Sequence, residues 1–278
     1  MNDENSATGD ARPHEHDGTV DVERDGPVLR LTLDRAQRRN ALSRPMIDTL
    51  VQSLTAAATD DELRVIHLRG AGGDFCSGVD WMATNAEGRR PRAGDLVRRI
   101  PHTAHRVVEL VHTIHLPVVC TVDGWAAGLG CALAIAADFT LADGEATFWM
   151  PFLSRGFTPD SGSTWLLPRL AGLARAKRML LLGEKVTGAD AAHWGLIHDA
   201  CDGHDLARRS SELVTQLASS PTVAVGLAKD AIHRNLHTGL RNAMDLELYA
   251  LELACRTADF KEGLDAFRNR RTPDFRGR

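Results

Sequence analysis

Two glycine-rich segments, and the scarcity of acids and bases around them, set the chemical problem in this chain. "GAGGDFCSGVD" (70–80) and "DGWAAGLGC" (123–131) each follow an apolar run that reads as a strand. The second runs straight into "ALAIAA", so it also opens a helix. The first N–H groups of a helix have no intrahelical acceptor and carry partial positive charge. That end therefore suits an anion or a developing oxyanion. Two such loops suggest two main-chain donors converging on one oxygen. Neither loop matches the glycine patterns of dinucleotide or P-loop sites. Between Gly124 and Ala137 the only acid, base or nucleophile is Cys131, so the group that moves protons must come from elsewhere.

"GFTPDSGSTW" (156–165) offers Asp160, at the start of a predicted helix. An aspartate facing an apolar pocket can serve as a general base. An aspartate ahead of Ser-Gly-Ser is equally a good N-cap, its carboxylate accepting from N–H groups two or three residues on. Trp149, Phe152, Phe157 and Trp165 could supply the apolar wall. Other candidates carry less. Ser161 and Ser163 lack the G-x-S-x-G elbow of a serine hydrolase. His102, His105, His112 and His115 spread around their helix with no cysteine or carboxylate to complete a metal set, so no metal is expected. His105 reads as a partly exposed helix histidine, and Cys76 and Cys131 as small core hydrophobes.

The elements that must position these residues follow from pattern. "TVDVERDGPVLRLTLD" alternates around Asp25-Gly26 and reads as a β-hairpin. Ser43 and Pro45 begin a helix over "SRPMIDTLVQSLTAAA". "RVIHLRG", "PVVCTVDG" and "DFTLAD" read as strands, and "GLGCALAIAAD" as a helix. Apolar residues from Leu96 to Ile114 recur at helical spacing, predicting one long helix ended by Pro117. This alternation argues for parallel pairing through right-handed crossovers. From about residue 162 helices dominate: 163–170, 173–182, 188–194, 204–219, 221–236 and 239–270.

The chain has 278 residues and a net charge of −4, which gives no electrostatic case for nucleic acid or an anionic membrane. No apolar run approaches a membrane span. Residues 1–18 lack the basic and apolar regions of a signal peptide and are expected to be a disordered leader. Five scattered cysteines without C-x-x-C spacing suggest reduced thiols in a cytoplasmic protein.

Several long segments, in order, resemble the crotonase superfamily, the enoyl-CoA hydratase/isomerase family. They are "LDRAQRRNALS" (33–43), "GGDFCSGVDW" (72–81), "PVVCTVDGWAAGLGCALAIAAD" (117–138), "GFTPDSGSTWLLPRLAG" (156–172), "AAHWGLIH" (191–198) and "KEGLDAF" (261–267). The match runs from about Val20 to Phe275. It implies an α/β fold, a crotonase-like spiral of ββα units with a C-terminal helical appendage: core 19–200, and a helical trimerisation region 201–278. It implies acyl-CoA thioester substrates, no cofactor beyond the coenzyme A carried by the substrate, and assembly as a homotrimer or a pair of trimers. The resemblance assigns the two oxyanion donors to the backbone N–H groups of Val79 and Leu129. It places Arg38 and Arg39, with Gly78, Asp80, Trp81, Gly128, Phe152 and Gly156, along the CoA ester. Phe267 and Arg270 stand where a neighbouring subunit's C-terminal helix closes the site.

The chain departs from the family at the two glutamates with which its hydratases hold water. Those positions are Ala132 and Phe152, and neither side chain can carry a proton. Relatives with an aspartate at the position of Asp160 include double-bond isomerases, where it shuttles a proton along the acyl chain. They also include a dehalogenase, where it is a nucleophile and a histidine near the position of His105 assists. That dehalogenase needs a tryptophan where Phe152 stands. The resemblance therefore favours an isomerase using Asp160. The alternatives are hydration by an unconventional route, with Asp160 ordering water, and a non-catalytic acyl-CoA-binding subunit.

Overall fold

The computed structural model describes residues 17–80 and 92–278. Strands β1 (Thr19–Asp25) and β2 (Val28–Asp34) form the antiparallel hairpin, in register from Thr19–Asp34 to Asp25–Val28. β3 (Val65–Gly70), β4 (Val118–Val122), β6 (Phe139–Asp143) and β9 (Asp199–Cys201) then add in parallel, giving the order β1-β2-β3-β4-β6-β9. A second, three-stranded sheet orders β5 (Trp125–Ala127), β7 (Thr147–Trp149) and β8 (Val186–Thr187). Strands covered on both faces should read as near-continuous apolar runs, and β3 and β4 do. Leu31, Ile66, Leu68, Cys120 and Val122 face the main core, while Val28, Val65, Val119 and Leu141 face a smaller cluster.

Helix α1 (Arg44–Ala57) begins where expected: Ser43 Oγ accepts the Met46 N–H at 3.4 Å, with Pro45 in the first turn. Met46, Ile47, Leu50 and Leu54 are its buried stripe. The expected single helix over 96–114 is broken. α2 (Asp95–Arg99) passes through a 3-10 turn (Ile100–His102) before α3 (Ala104–Thr113) starts. Pro101 has no N–H to donate, and Thr103 leaves helical geometry at φ −129°, ψ −101°. α4 (Leu129–Ala136) is buried at all eight positions, so it has no polar face.

The helices α5 (Ser163–Ala171), α6 (Leu173–Leu181) and α7 (Gly188–His193) follow, then α8 (Gly203–Ala218), whose Leu206 and Val214 cover the smaller cluster. The part of the chain assigned to a C-terminal appendage thus begins with a helix packed on the sheet. α9 (Thr222–Asn235) comes next. The expected helix over 239–270 is two, α10 (Leu240–Ala254) and α11 (Ala258–Asn269), because Thr257 caps a new start by accepting the Phe260 N–H at 3.1 Å. The fold is the expected mixed α/β with a C-terminal helical region. Among the described residues, no helix is long and apolar enough to cross a membrane.

Candidate active site

The first glycine-rich loop is fixed before any side chain of the site is considered. Asn40, fully buried at φ +54°, donates from its amide to Ala71 O (2.9 Å) and Asp74 O (2.6 Å) and accepts the Arg35 N–H (2.8 Å). The Ser77 N–H donates to Arg39 O at 2.9 Å and its hydroxyl to Arg38 O at 3.2 Å. Leu42 brackets the next turn, donating to Gly78 O (2.7 Å) and accepting from the Asp80 N–H (3.0 Å). The buried Arg35–Asp80 ion pair, 2.8 Å, closes the loop behind Val79.

The second loop is zipped onto the first. The Phe75 N–H donates to Asp123 O, the Cys76 N–H to Trp125 O, and the Ala127 N–H returns to Cys76 O, at 2.8–2.9 Å. The Asp74 carboxylate accepts the Trp125 N–H at 2.9 Å. This approach is so close that side chains are excluded at Gly124, Gly130 and Gly78. A Cβ on Gly130 would stand 2.3 Å from Cys76 O, and one on Gly78, at φ +101°, 2.9 Å from Ala127 O and 3.5 Å from Leu129 N. The glycines are therefore spacers that let two main chains touch.

The result is a recess of about 20 Å³, lined on this side by Ser77, Gly78, Val79, Gly128 and Leu129. Leu129 is the first residue of α4, and neither its N–H nor that of Val79 has a protein acceptor among the described residues. Both expected donors therefore border one recess. Burial pushes the Cys76 and Cys131 thiols up to about 12, so neither offers a thiolate near neutrality.

The opposite wall comes from the segment after β7: Phe152, Arg155, Phe157, Asp160 and Ser161. Phe152 and Phe157 pack edge to face, centroids 5.8 Å apart. Among the described residues, Asp160 is the only carboxylate on the lining. Its side chain does not cap α5, which starts after Gly162 without a side-chain cap. Oδ1 accepts the Ser161 hydroxyl at 2.9 Å, while the main-chain carbonyl takes the Ser163 N–H (3.0 Å) and hydroxyl (2.8 Å).

The structure thus gathers Gly78, Val79, Gly128, Leu129, Phe152 and Asp160 around one recess. Asp80, Arg38, Arg39, Gly156, Phe267 and Arg270 lie off its lining. The Asp80 carboxylate is engaged by Arg35, and Arg39 reaches 3.9 Å from Asp74 and stacks over the Trp125 ring at 5.3 Å. Gly156 ends the 3-10 turn Leu153–Arg155 at φ +78°. Phe267 is 85% exposed on α11, and Arg270 ends that helix. Trp81 lies outside the described residues.

Two of the four expected wall aromatics sit elsewhere. The Trp149 indole donates to Gly183 O at 2.8 Å, and Trp165 packs against His112, Arg169 and His237. Sequence reasoning missed Arg155, a cation on the lining, and the place of His105. The Nε2 of His105 accepts the Ser161 N–H at 3.4 Å, which puts α3 directly behind the acid. An arginine three residues past Pro-Phe was the available signal for the first; for the second, the resemblance marked His105 but not its contact with Ser161.

The family model described as enoyl-CoA hydratase/isomerase matches residues 23–278. The 1,2-epoxyphenylacetyl-CoA isomerase of Escherichia coli is 38% identical over 251 residues, 90% of this chain and 95% of that one. The 2,3-dehydroadipyl-CoA hydratase of the same organism is 32% identical over 257 residues, 92% and 98% of the two chains. The crystal structure of an enoyl-CoA hydratase from Bacillus anthracis superposes with a TM-score of 0.86 at 30% identity, covering 94% of this chain and all of that one.

Proposed function

The chain belongs to the enoyl-CoA hydratase/isomerase family, and from that premise we propose that it is an isomerase, moving a carbon–carbon double bond along an acyl-CoA. The thioester oxygen rests on the Val79 and Leu129 N–H groups. Asp160 takes a proton from C2 of a 3-enoyl thioester, and the negative charge spreads onto the held oxygen. The same carboxyl group returns a proton to C4, leaving the double bond between C2 and C3. Positioning and oxyanion stabilisation lower most of the barrier.

The observation that carries this reading is the carboxylate inventory of the recess. Phe152 forms the wall and Ala132 is buried within α4, so neither can activate water, and among the described residues Asp160 is the only acid on the lining. 3-Hexenoyl-CoA tests it: isomerisation creates the conjugated enone absorbance. A protein that leaves 3-hexenoyl-CoA untouched and bleaches crotonyl-CoA is a hydratase, against this proposal. One that binds CoA esters tightly and turns over none is a binding subunit, also against it.

Arg38 and Arg39, exposed beside the Ser77 loop, are proposed to meet the CoA phosphates. We further propose a homotrimer or a pair of trimers, supported by apolar side chains left open on α10 and α11, among them Leu248, Tyr249 and Phe267. Sedimentation should find three or six chains; a monomer would contradict it. The free cysteines support a cytoplasmic setting.

A further inference from the structure

We propose that Ser161 is a positioning residue for Asp160, and that His105 holds Ser161 in the conformation this requires. The proposal rests on the reading of Asp160 as the proton carrier. Ser161 is 2% exposed and sits at φ +53°, a left-handed conformation that serine rarely adopts. Neither burial nor that φ helps a serine fold. Both are explained by what its two polar groups reach. The hydroxyl donates to Asp160 Oδ1 at 2.9 Å, and the N–H donates to His105 Nε2 on α3 at 3.4 Å.

Asp160 is thereby held at two points. Ser163 fixes its carbonyl through two donors, and Ser161 fixes one carboxylate oxygen. Oδ2 has no protein partner among the described residues and is the oxygen left to take and return a proton. A hydroxyl donating to one carboxylate oxygen limits rotation of the group, so that the proton is taken and delivered along fixed directions.

For His105 to accept, Nε2 must be the bare nitrogen of a neutral ring, with the proton on Nδ1. Among the described residues, Arg155, from the preceding 3-10 turn, shares the lining with Asp160, and His105, from α3, stands behind Ser161.

Ser161→Ala and Ser161→Gly separate the hydroxyl from the backbone, because both remove the donor and only glycine adopts this φ freely. With 3-hexenoyl-CoA, both should lower kcat about tenfold and leave KM within about twofold. A purely structural role would lower folded yield or melting temperature and leave kcat per folded protein unchanged. His105→Leu should lower kcat about threefold, and His105→Gln, which keeps an acceptor, should restore most of it. A folded Ser161→Gly protein with parental kcat, beside an inactive Asp160→Asn, would overturn this inference alone. An active Asp160→Asn would overturn the reading beneath it, and an absence of turnover by the parent protein would overturn both.

Discussion

The two walls of the recess are built on opposite plans. The wall of Val79 and Leu129 is made of main chain, held by backbone hydrogen bonds and by glycines where a Cβ would collide. Its chemistry is indifferent to which side chains Val79 and Leu129 carry. The wall of Phe152 and Asp160 is made of side chains on a segment with a 3-10 turn and a left-handed serine. In the proposed reaction the identity of each side chain there is the chemistry, and the backbone only delivers it. The chain is similar to both an isomerase and a hydratase, and it is at this second wall that the two proposed chemistries would differ.

That contrast can be broken by substitution. The largest effect should come from the side-chain wall. Asp160→Asn should lower kcat about 1,000-fold while affinity for hexanoyl-CoA, measured by calorimetry, stays within about threefold. On the main-chain wall the vulnerable position is a glycine. Gly130→Ala puts a Cβ 2.3 Å from Cys76 O, and separating the loops should cost about 100-fold in kcat/KM, with a lower melting temperature. Loss of activity without loss of stability would show that the loops are not rigidly zipped.

Arg35→Met leaves Asp80 buried without its ion-pair partner behind Val79 and should destabilise by about 3 kcal/mol in urea. Its kcat should fall less than in Gly130→Ala, because the zip between the loops remains. The last effect needs no substitution and is read through pH. His67, in β3, shares a 2.8 Å hydrogen bond with Thr121 Oγ1, and burial first, then Arg69 and Arg30, lowers its pKa to about 4. Below its ordinary value of 6.5 the unfolded chain binds this proton and the folded one does not. His67 should therefore remove about 1.4 kcal/mol of stability per pH unit as pH falls from 6.5 toward 4. His233, pushed to about 4 mainly by burial, acts in the same direction. A urea midpoint that stays flat over that range would contradict both.

Legibility in the sequence followed the same division. The hairpin, the parallel strands and both glycine loops could be read because turn residues and apolar runs are local signals. β5, β7, β8 and β9, at two or three residues each, are too short to show alternation. Pro101 and Thr257 were visible, yet the apolar periodicity on either side outweighed them. Asp160 could be located but not oriented: its sequence fits an N-cap, and only the left-handed Ser161 and the start of α5 at Ser163 turn its carboxylate away from that use. His105 could be named from the resemblance but its contact could not be read, because the partner is a backbone N–H 56 residues away.

The decisive experiment is a crystal structure with hexanoyl-CoA bound. The thioester oxygen should lie about 2.7–3.1 Å from both the Val79 and Leu129 nitrogens, with Asp160 Oδ2 facing C2. A thioester oxygen touching neither nitrogen, or an Asp160 carboxylate folded back onto the start of α5, would contradict the proposed mechanism.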